Sequence, residues 1–274
     1  MLLAIDIGNT QTVLGLYSHD SLKTSGLIAQ DASRQAADGL ENHFRLATVM
    51  ERTSDEHALL LWQLLGMSGI DAKNTFEGAV MSSSVPSATH GMRSMVKRWL
   101  GLDPVVVEPG IRTGMPILYD NPKEVGADRI ADAVACVDIY GGPAIVVDFG
   151  TATTFDAISA KGEYLGGAIA PGVEISLDAL YRNASALRRV ELIEPRSVIG
   201  KSTTESIQSG TLFGYAAQAD GICTRMEQQL GEAHIVGTGG LCGVVGPYSN
   251  KIQHFEPWLT LHGLRIIYER NVNG

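Results

Sequence analysis

The chain has 274 residues, of which 45% are hydrophobic and 19% are charged, and its formal net charge is −9 at pH 7. This length is comfortable for two domains, each with an ordinary core. The acidic balance argues against nucleic acid or an anionic membrane surface as the main partner, so a phosphate ligand would need donors placed locally.

The three cysteines are Cys136, Cys223 and Cys242, which are far apart and form no Cys-x-x-Cys motif. They fit a reducing cytosol, with the thiols as small core residues. The apolar start is interrupted at Asp6, which predicts a strand and not a signal peptide, and no apolar run approaches a membrane span. The seven histidines show no ligand spacing, so we expect no zinc site.

The predicted elements of the first half follow from apolar runs, helix-start signals and breakers. In chain order they are strands near 2–7, 11–17 and 43–49, a helix that starts after Ser54-Asp55-Glu56 and runs to Gly66, a strand at 76–81, a helix from Ser84 or Ser87 to Leu100, and a short strand at 104–108. Residues 20–42 are polar and lack periodicity. They predict a loop that is either a surface excursion or a lid.

The second half opens after Gly141-Gly142-Pro143, a sequence suited to a domain boundary. Its predicted elements are strands at 144–149, 152–159 and 163–170, helices near 173–182 and 203–230, a strand at 234–236 and a final helix near 260–271. The order strand-strand-strand-helix-strand-helix therefore occurs twice. This predicts an α/β duplication with domains at 1–141 and 142–274.

One motif occurs in both halves, after a buried strand and before a second strand. The copies are Asp6-Ile7-Gly8-Asn9-Thr10 and Asp148-Phe149-Gly150-Thr151-Ala152-Thr153-Thr154. Such a turn presents backbone N–H groups and hydroxyls to a phosphate, and its carboxylate can hold a metal ion or a water. One copy alone is equally a hairpin turn with an Asx-type bond. Two copies suggest two facing halves that share a nucleotide.

Within these turns, individual side chains suit particular tasks. Asp6 can orient a hydrated Mg²⁺ ion, and Asn9 and Thr10 can donate hydrogen bonds. Asp148 is a hard oxygen ligand at a strand end, suited to a cation, and Thr151 is the best-placed hydroxyl donor to phosphate. A third turn, Gly237-Thr238-Gly239-Gly240, leaves bare backbone on which adenosine could lie, although such a turn alone is weak support.

The segment from Asn121 to Arg129 contains a helix-start signature, Asn121-Pro122 with Glu124. Beyond it an apolar stripe at helical spacing comprises Ile130, Ala133, Val134 and Val137. Asp128 points away from that stripe and could accept a proton from a substrate hydroxyl. The alternative is that Asp128 and Asp132 form a solvated helix face.

Ser202-Thr203-Thr204-Glu205 is typical of a capping box, although the Thr203 hydroxyl could also face a polar ligand. One face of the helix that follows carries small residues. They are Gly210, Gly214, Ala217 and Gly221, and they predict close helix contact inside the fold or across a dimer.

Together these motifs resemble those of the type III pantothenate kinases. The resemblance rests on Asp6-Ile7-Gly8-Asn9-Thr10, Gly126-Ala127-Asp128-Arg129, the turn that begins at Asp148, and Leu165-Gly166-Gly167-Ala168-Ile169-Ala170-Pro171-Gly172. Supporting segments are Arg112-Thr113-Gly114, Asn121-Pro122, Gly200-Lys201-Ser202-Thr203 and Leu259-Thr260-Leu261-His262-Gly263-Leu264. They span almost the whole chain.

The resemblance implies a fold of duplicated ribonuclease-H-like domains, as in the acetate and sugar kinases, the heat-shock ATPases and actin, with ATP between the halves. It implies transfer of the γ-phosphoryl group of ATP to the primary hydroxyl of pantothenate, the first step of coenzyme A synthesis. Members are cytoplasmic homodimers whose substrate site borders the partner subunit.

The resemblance also implies residue roles. The nucleotide phosphate loop would be Asp6, Ile7, Gly8, Asn9, Thr10, Gln11, Thr12 and Val13, with Thr151 as a further ATP contact. Asp128 would be the proton acceptor, and pantothenate would contact Tyr119, Gly126, Ala127, Asp128, Arg129 and Thr203. Asp148 would bind a monovalent cation, potassium or ammonium, and Mg²⁺ would accompany ATP.

Three other functions use similar phosphate turns. A catalytically silent nucleotide-binding regulator of the same fold would not phosphorylate pantothenate. A phosphohydrolase would release phosphate from ATP without an acceptor. An actin-like subunit would polymerise with ATP, although the short chain argues against it.

Overall fold

The structure, a computed structural model, describes residues 1–18, 36–71 and 75–272. Most of the predicted loop at 20–42 lies outside these residues, although its last part already belongs to a strand that begins at Leu40. Within the part of the chain that is described, none of the helices has both the length and the apolar character needed to span a membrane.

Each half of the chain contributes a five-stranded sheet. The strands are β1 (Leu2–Ile7), β2 (Gln11–Tyr17), β3 (Leu40–Ala47), β4 (Gly78–Ser83), β5 (Val105–Val106), β6 (Ala144–Phe149), β7 (Ala152–Ile158), β8 (Tyr164–Pro171), β9 (His234–Thr238) and β10 (His254–Phe255). The helices are α1 (Ser54–Met67), α2 (Pro86–Leu100), α3 (Ala127–Tyr140), α4 (Val173–Asn183), α5 (Thr203–Leu230), α6 (Cys242–Val245) and α7 (Leu259–Val272). Short 3₁₀ turns lie at Pro122–Glu124 and Gly246–Tyr248.

The two sheets have the same strand order, β3-β2-β1-β4-β5 and β8-β7-β6-β9-β10. In both, the first strand in the chain is antiparallel to the second and parallel to the fourth. Strands β1 and β6 are buried along their whole length except at one residue, which is Asp6 in β1 and Asp148 in β6. The predicted α/β duplication is therefore confirmed.

The chain divides into two compact units, Met1–Ile139 with Trp258–Gly274, and Tyr140–Pro257. The predicted boundary at 141/142 lies close to Tyr140, where the chain first passes from one unit to the other. The predicted second domain, however, was to include the C-terminal helix. That helix, α7, instead packs on β1, β4 and β2 of the first unit.

Each unit has its own apolar core. In the first unit, Leu3, Ile5 and Ile7 of β1 pack with residues of α1 and α2. In the second unit, Ile145 and Val147 of β6 pack with residues of α5 and β9. All three cysteines are unoxidised and buried, as predicted.

The structure differs from the predicted elements where neighbouring residues in the sequence carry little information on secondary structure. Strand β10 was not predicted, because two residues carry no periodicity and β10 exists only through its pairing with β9. The helix-start signature at Asn121 opens a 3₁₀ turn, where the Asn121 side chain accepts a hydrogen bond from the Lys123 N–H at 3.3 Å. The longer helix α3 starts separately at Ala127.

The small-residue face of α5 does not pack against another described helix. Gly210, Gly214 and Gly221 are exposed, and a Cβ at any of the three would meet no atom within 4 Å. Of the two predicted uses of this face, packing inside the fold is therefore wrong. Contact across a dimer stays a prediction.

Close approach of α7 to the sheet requires glycine at Gly78 of β4, where a Cβ would overlap the Tyr268 ring and hydroxyl. We expect Gly78→Ala to lower the free energy of unfolding by about 1–3 kcal/mol, because the helix or the strand must shift. Gly66→Ala is the matched control, since nothing lies within 4 Å of a Cβ there. In chemical denaturation the control should be neutral or slightly stabilising. Equal stability of the two variants would contradict this packing.

Candidate active site

The turn that follows Asp6, between β1 and β2, is held by Thr48 at the end of β3. Within this turn the Gly8 N–H donates to the Gln11 carbonyl at 3.0 Å, which closes it. The Thr48 hydroxyl donates to the Gly8 carbonyl at 2.7 Å, and its N–H donates to the Thr10 carbonyl at 3.0 Å. Thr12 lies with its hydroxyl 2.9 Å from that of Thr48. These bonds fix the backbone whose N–H groups would meet a phosphate.

The end of β4 supports the same turn from the other side. The Ser82 hydroxyl donates to Asp6 Oδ1 at 2.7 Å, because parallel pairing places Ser82 opposite Asp6. The Ser84 N–H donates to the Ile7 carbonyl at 3.0 Å, and Asn9 Nδ2 donates to Ser84 Oγ at 3.4 Å.

Sequence reasoning missed Thr48, Ser82 and Ser84. The signal that could have found the serines is the polar run Ser82-Ser83-Ser84 at the end of a buried strand. Such a run matters only once the strand is known to pair with β1.

The predicted loop residues divide into two groups by exposure. Asn9, Thr10 and Gln11 are exposed and present polar side chains to solvent, whereas the side chains of Ile7 and Thr12 are buried. The buried two can reach a ligand only through their backbone groups. Val13 and Gly8 are partly buried.

Asp128 lies near enough to Asp6 to affect the ionisation of Asp6. Burial and, next, the negative charge of Asp128 together raise the pKa of the Asp6 carboxyl to about 7, although the hydrogen bond from Ser82 opposes both effects. A carboxylate whose ionised form is disfavoured in this way is a good ligand for a cation, because the cation removes the repulsion.

Asp128 is the second residue of α3 and is partly exposed. Its Oδ1 accepts the Arg129 N–H at 2.8 Å, and it lies over Gly126, where a Cβ would overlap it. Ile130, Ala133 and Val134 are buried, as the apolar stripe predicts. The alternative of a solvated acidic face is wrong for Asp132, which is only 1% exposed.

The remaining predicted substrate residues of the first unit flank Asp128. Ala127 begins α3, and the Arg129 side chain is buried, with 8% of its surface exposed. Tyr119 lies upstream of the 3₁₀ turn and is partly buried. The first unit thus brings Asp6 and Asp128 together and places Gly126, Ala127 and Arg129 beside Asp128.

In the second unit the turn after Asp148 is one residue shorter than the turn after Asp6. The Gly150 N–H donates to the Ala152 carbonyl at 3.1 Å, two residues on, whereas the Gly8 N–H donates to the Gln11 carbonyl three residues on. Thr151 is exposed, and its carbonyl accepts the Gly172 N–H at 3.2 Å. Both turns are therefore closed by the N–H of the glycine of the motif, but the turns differ in length.

The glycine-rich turn at 237–240 lies directly beside Asp148. A Cβ at Gly239 would overlap Asp148 Oδ1, and Gly239 has a φ of 90°, so only glycine fits there without strain. Burial, and next the charge of Asp148, raise the pKa of the Cys242 thiol to about 12. The structure thus joins two motifs that the sequence predicted separately.

Thr203 begins α5 and is exposed. Ser202 caps the helix by accepting the Glu205 N–H at 3.2 Å, but the Glu205 carboxylate bonds the Lys201 N–H and Arg196, so the predicted capping box is only half formed. Thr203 lines a pocket of about 400 Å³ between α4 and α5. Its other lining residues are mainly apolar or hydroxylated, and include Leu177, Leu180, Leu187, Ser206 and Tyr215.

The described residues contain no group of three or more His, Cys, Asp or Glu that could hold a metal ion. A cation at Asp6 or Asp148 would therefore complete its coordination with phosphate, water or backbone oxygens. That is the usual manner of Mg²⁺ bound with a nucleotide.

The raised pKa of Asp6 has a consequence for stability. The unfolded chain loses the Asp6 proton near pH 4 and the folded chain near pH 7, so the folded state binds more protons in this window and stability falls as pH rises. We expect Asp6→Asn to gain about 1–3 kcal/mol in unfolding free energy at pH 8, without Mg²⁺ or nucleotide, and little at pH 4.

Chemical denaturation across this pH range measures the difference. Asp103→Asn is the control, because Lys97 lowers the pKa of that exposed carboxyl and its loss brings no gain at pH 8. A difference between Asp6→Asn and the parent protein that does not change with pH would refute the assigned environment.

Solved structures of distant proteins share this architecture. A Baf family protein from Campylobacter jejuni aligns with a TM-score of 0.57 and 19% identity over 99% of this chain and 100% of its own. The ethanolamine utilization protein EutJ from Carboxydothermus hydrogenoformans aligns with a TM-score of 0.51 and 12% identity over 97% and 89%. These likenesses support the duplicated ribonuclease-H-like fold and nothing finer.

Sequence comparison is more specific. The family model described as type III pantothenate kinase matches residues 2–225. The type III pantothenate kinase of Moorella thermoacetica is 50% identical over 272 residues, covering 99% of this chain and 100% of that protein. That of Streptomyces griseus is 50% identical over 281 residues, covering 100% and 99%. With the Asp6 turn, the Asp148 turn and Asp128 all present, the chain belongs to the type III pantothenate kinase family.

Proposed function

We propose that the protein transfers the γ-phosphoryl group of ATP to the primary hydroxyl of pantothenate, giving 4'-phosphopantothenate for coenzyme A biosynthesis. The observation that carries the proposal is the placement of Asp128 beside Asp6 in a family member with both phosphate turns intact. The barrier to such a transfer is mostly charge and alignment, which these residues address.

The first turn binds the phosphates. The N–H groups around Gly8 and the polar groups of Asn9, Thr10 and Gln11 are the donors that support this role, because they are exposed on a backbone that Thr48 holds. Asp6 would hold Mg²⁺ through water, and its unfavourable charge in the absence of a cation is what supports the assignment. Bound there, Mg²⁺ supplies charge neutralisation for the β- and γ-phosphates.

Asp128 is the general base. Its carboxylate takes the proton of the pantothenate hydroxyl as the hydroxyl oxygen bonds to the γ-phosphorus. The bond from that phosphorus to the bridging oxygen breaks, and ADP leaves with the electron pair. The bare backbone of Gly126 leaves the room that the substrate and the carboxylate need.

The second unit contributes nucleotide contacts and a monovalent cation. We assign Thr151 to ATP, Asp148 to potassium or ammonium, and the turn at 237–240 to adenosine. The partly buried Asp148 carboxylate, which lies against the backbone of Gly239, is a hard anionic donor suited to a cation. Such an ion supplies positive charge that a chain with a net charge of −9 lacks.

Pantothenate would contact Tyr119, Gly126, Ala127, Asp128 and Arg129 of the first unit, and Thr203 of the second. The position of Gly126, Ala127 and Arg129 next to Asp128 supports this set. We further propose that the protein acts as a homodimer in the cytoplasm, on the basis of family membership.

Removing the base should stop the chemistry and spare nucleotide binding. We expect Asp128→Asn to lower kcat by about 10²–10⁴, the usual worth of general base catalysis, because an amide cannot accept the proton. Coupled detection of ADP measures kcat, and calorimetry with a non-hydrolysable ATP analogue measures binding. The exposed Asp120 offers a control, and Asp120→Asn should keep the parent rate.

Two outcomes would count against these proposals. A parent-like kcat in Asp128→Asn would refute the role of Asp128. Absence of pantothenate phosphorylation by the parent protein would refute the function.

Activity should depend on potassium or ammonium through Asp148. We expect Asp148→Asn to raise the potassium concentration for half-maximal activity by about tenfold or more, since one charge-assisted ligand is lost. A potassium titration at constant ionic strength measures this, with sodium as the control ion. Equal half-maximal concentrations in the two proteins would contradict the site.

A further inference from the structure

Helix α7 contacts three elements of the first unit that carry the site. Its residues lie so close to Gly15 of β2 and to Gly78 of β4 that a Cβ at either would overlap a side chain of α7. Its own Gly263 lies against the Ala131 carbonyl of α3 with no room for a Cβ. The C-terminal motif Leu259-Thr260-Leu261-His262-Gly263-Leu264, which the proposed chemistry does not use, is therefore the common support of the phosphate turn and of the helix that carries Asp128.

A buried chain of polar groups joins α7 to α3. His262 Nε2 lies 3.0 Å from Asp138 Oδ2, and His262 Nδ1 lies 3.5 Å from Arg265 Nη2. Arg265 Nη1 in turn lies 2.8 Å from Glu269 Oε1. The His262 side chain is 0% exposed. A ring that donates from Nε2 to Asp138 leaves Nδ1 to accept from Arg265, so one neutral tautomer satisfies both contacts.

The contact of α3 with α7 is made by small residues, because Ala131 lies against Gly263. The bond between His262 and Asp138 adds a directional contact further along α3. The His262 ring is fully buried, so losing this bond costs free energy that apolar packing does not recover. Single buried polar contacts of this kind can set the register of one helix against another.

We propose that His262 is a positioning residue for Asp128. Asp138 lies ten residues after Asp128, about 15 Å along the same helix, so the bond sets the axial and rotational position of α3. The Ala131 contact with Gly263 fixes the helix nearer to Asp128. This inference rests on the proposed role of Asp128 as the base. A displacement of about 1 Å at a reacting group can cost about 10² in rate.

The test compares two substitutions of similar size. In His262→Gln, the side-chain amide can donate to Asp138 from about the place of Nε2, whereas His262→Leu cannot. We expect His262→Leu to lower kcat by about 10- to 100-fold with an ATP KM close to that of the parent protein. His262→Gln should recover most of the rate. Asp138→Leu should resemble His262→Leu, and Asp138→Asn, which keeps an acceptor, should resemble the parent protein.

A double variant separates positioning from a general loss of structure. If His262 acts through Asp128, adding His262→Leu to Asp128→Asn should lower kcat no further. The inference would be overturned by a parent-like kcat in a folded His262→Leu protein. It would also be overturned if His262→Leu lowered kcat by the same factor in the parent protein and in Asp128→Asn. If His262→Leu fails to fold by circular dichroism, the Asp138 pair decides by the same criteria. Full activity in Asp128→Asn would instead overturn the proposed base, so the two failures are distinguishable.

Discussion

Two carboxylates, those of Asp6 and Asp128, lie within one unit, and the charge of Asp128 disfavours the ionised form of Asp6. Burial raises the pKa of Asp6, the charge of Asp128 raises it further, and the hydrogen bond from Ser82 offsets only part of both effects. The surrounding structure can be understood as what holds the pair in place: Thr48 and Ser84 fix the turn after Asp6, and α3 and α7 fix Asp128. In the proposed phosphoryl transfer, a cation at Asp6 and an acceptor hydroxyl at Asp128 would relieve this repulsion.

The duplicated fold places Asp148 where the first unit has Asp6, with the same burial along the strand, yet the two carboxylates have different neighbours. Parallel pairing puts Ser82 opposite Asp6 and Thr238 opposite Asp148. Ser82 donates to its aspartate, whereas the Thr238 hydroxyl donates to the Glu256 carbonyl at 2.7 Å, and Asp148 lies against the backbone of Gly239. The two equivalent strand ends therefore have different neighbours. This difference is the physical basis for assigning different cations to them.

Sequence reasoning succeeded where the information is local. Strands β1, β2, β6 and β7 and the two turns between them were predicted because apolar runs, glycine and hydroxyl residues lie next to one another in the chain. It failed where a partner is distant: Ser82 is 76 residues from Asp6, and Thr48 is 40 residues from Gly8. Membership of α7 in the first unit was missed for the same reason, since a helix that is buried almost all round shows that it lies in a core and not which sheet covers it. The placement of Asp128 away from the stripe was predictable from helical periodicity. Its proximity to Asp6 was not, because that depends on how α3 packs.

The packing of α3 shows why a site of this kind needs polar groups in its support. An alanine-rich helix can approach its neighbours closely, as the contact of Ala131 with Gly263 requires, but small side chains interlock weakly. Larger apolar residues would interlock and would also push α3 outward, taking Asp128 with it. A hydrogen bond between the buried His262 and the partly exposed Asp138 adds direction without adding volume at the contact of Ala131 with Gly263. The net stability gained from such a bond is small, since both groups leave water. Its value lies in precision, because a proton acceptor contributes to catalysis only within hydrogen-bond reach of the proton that it removes.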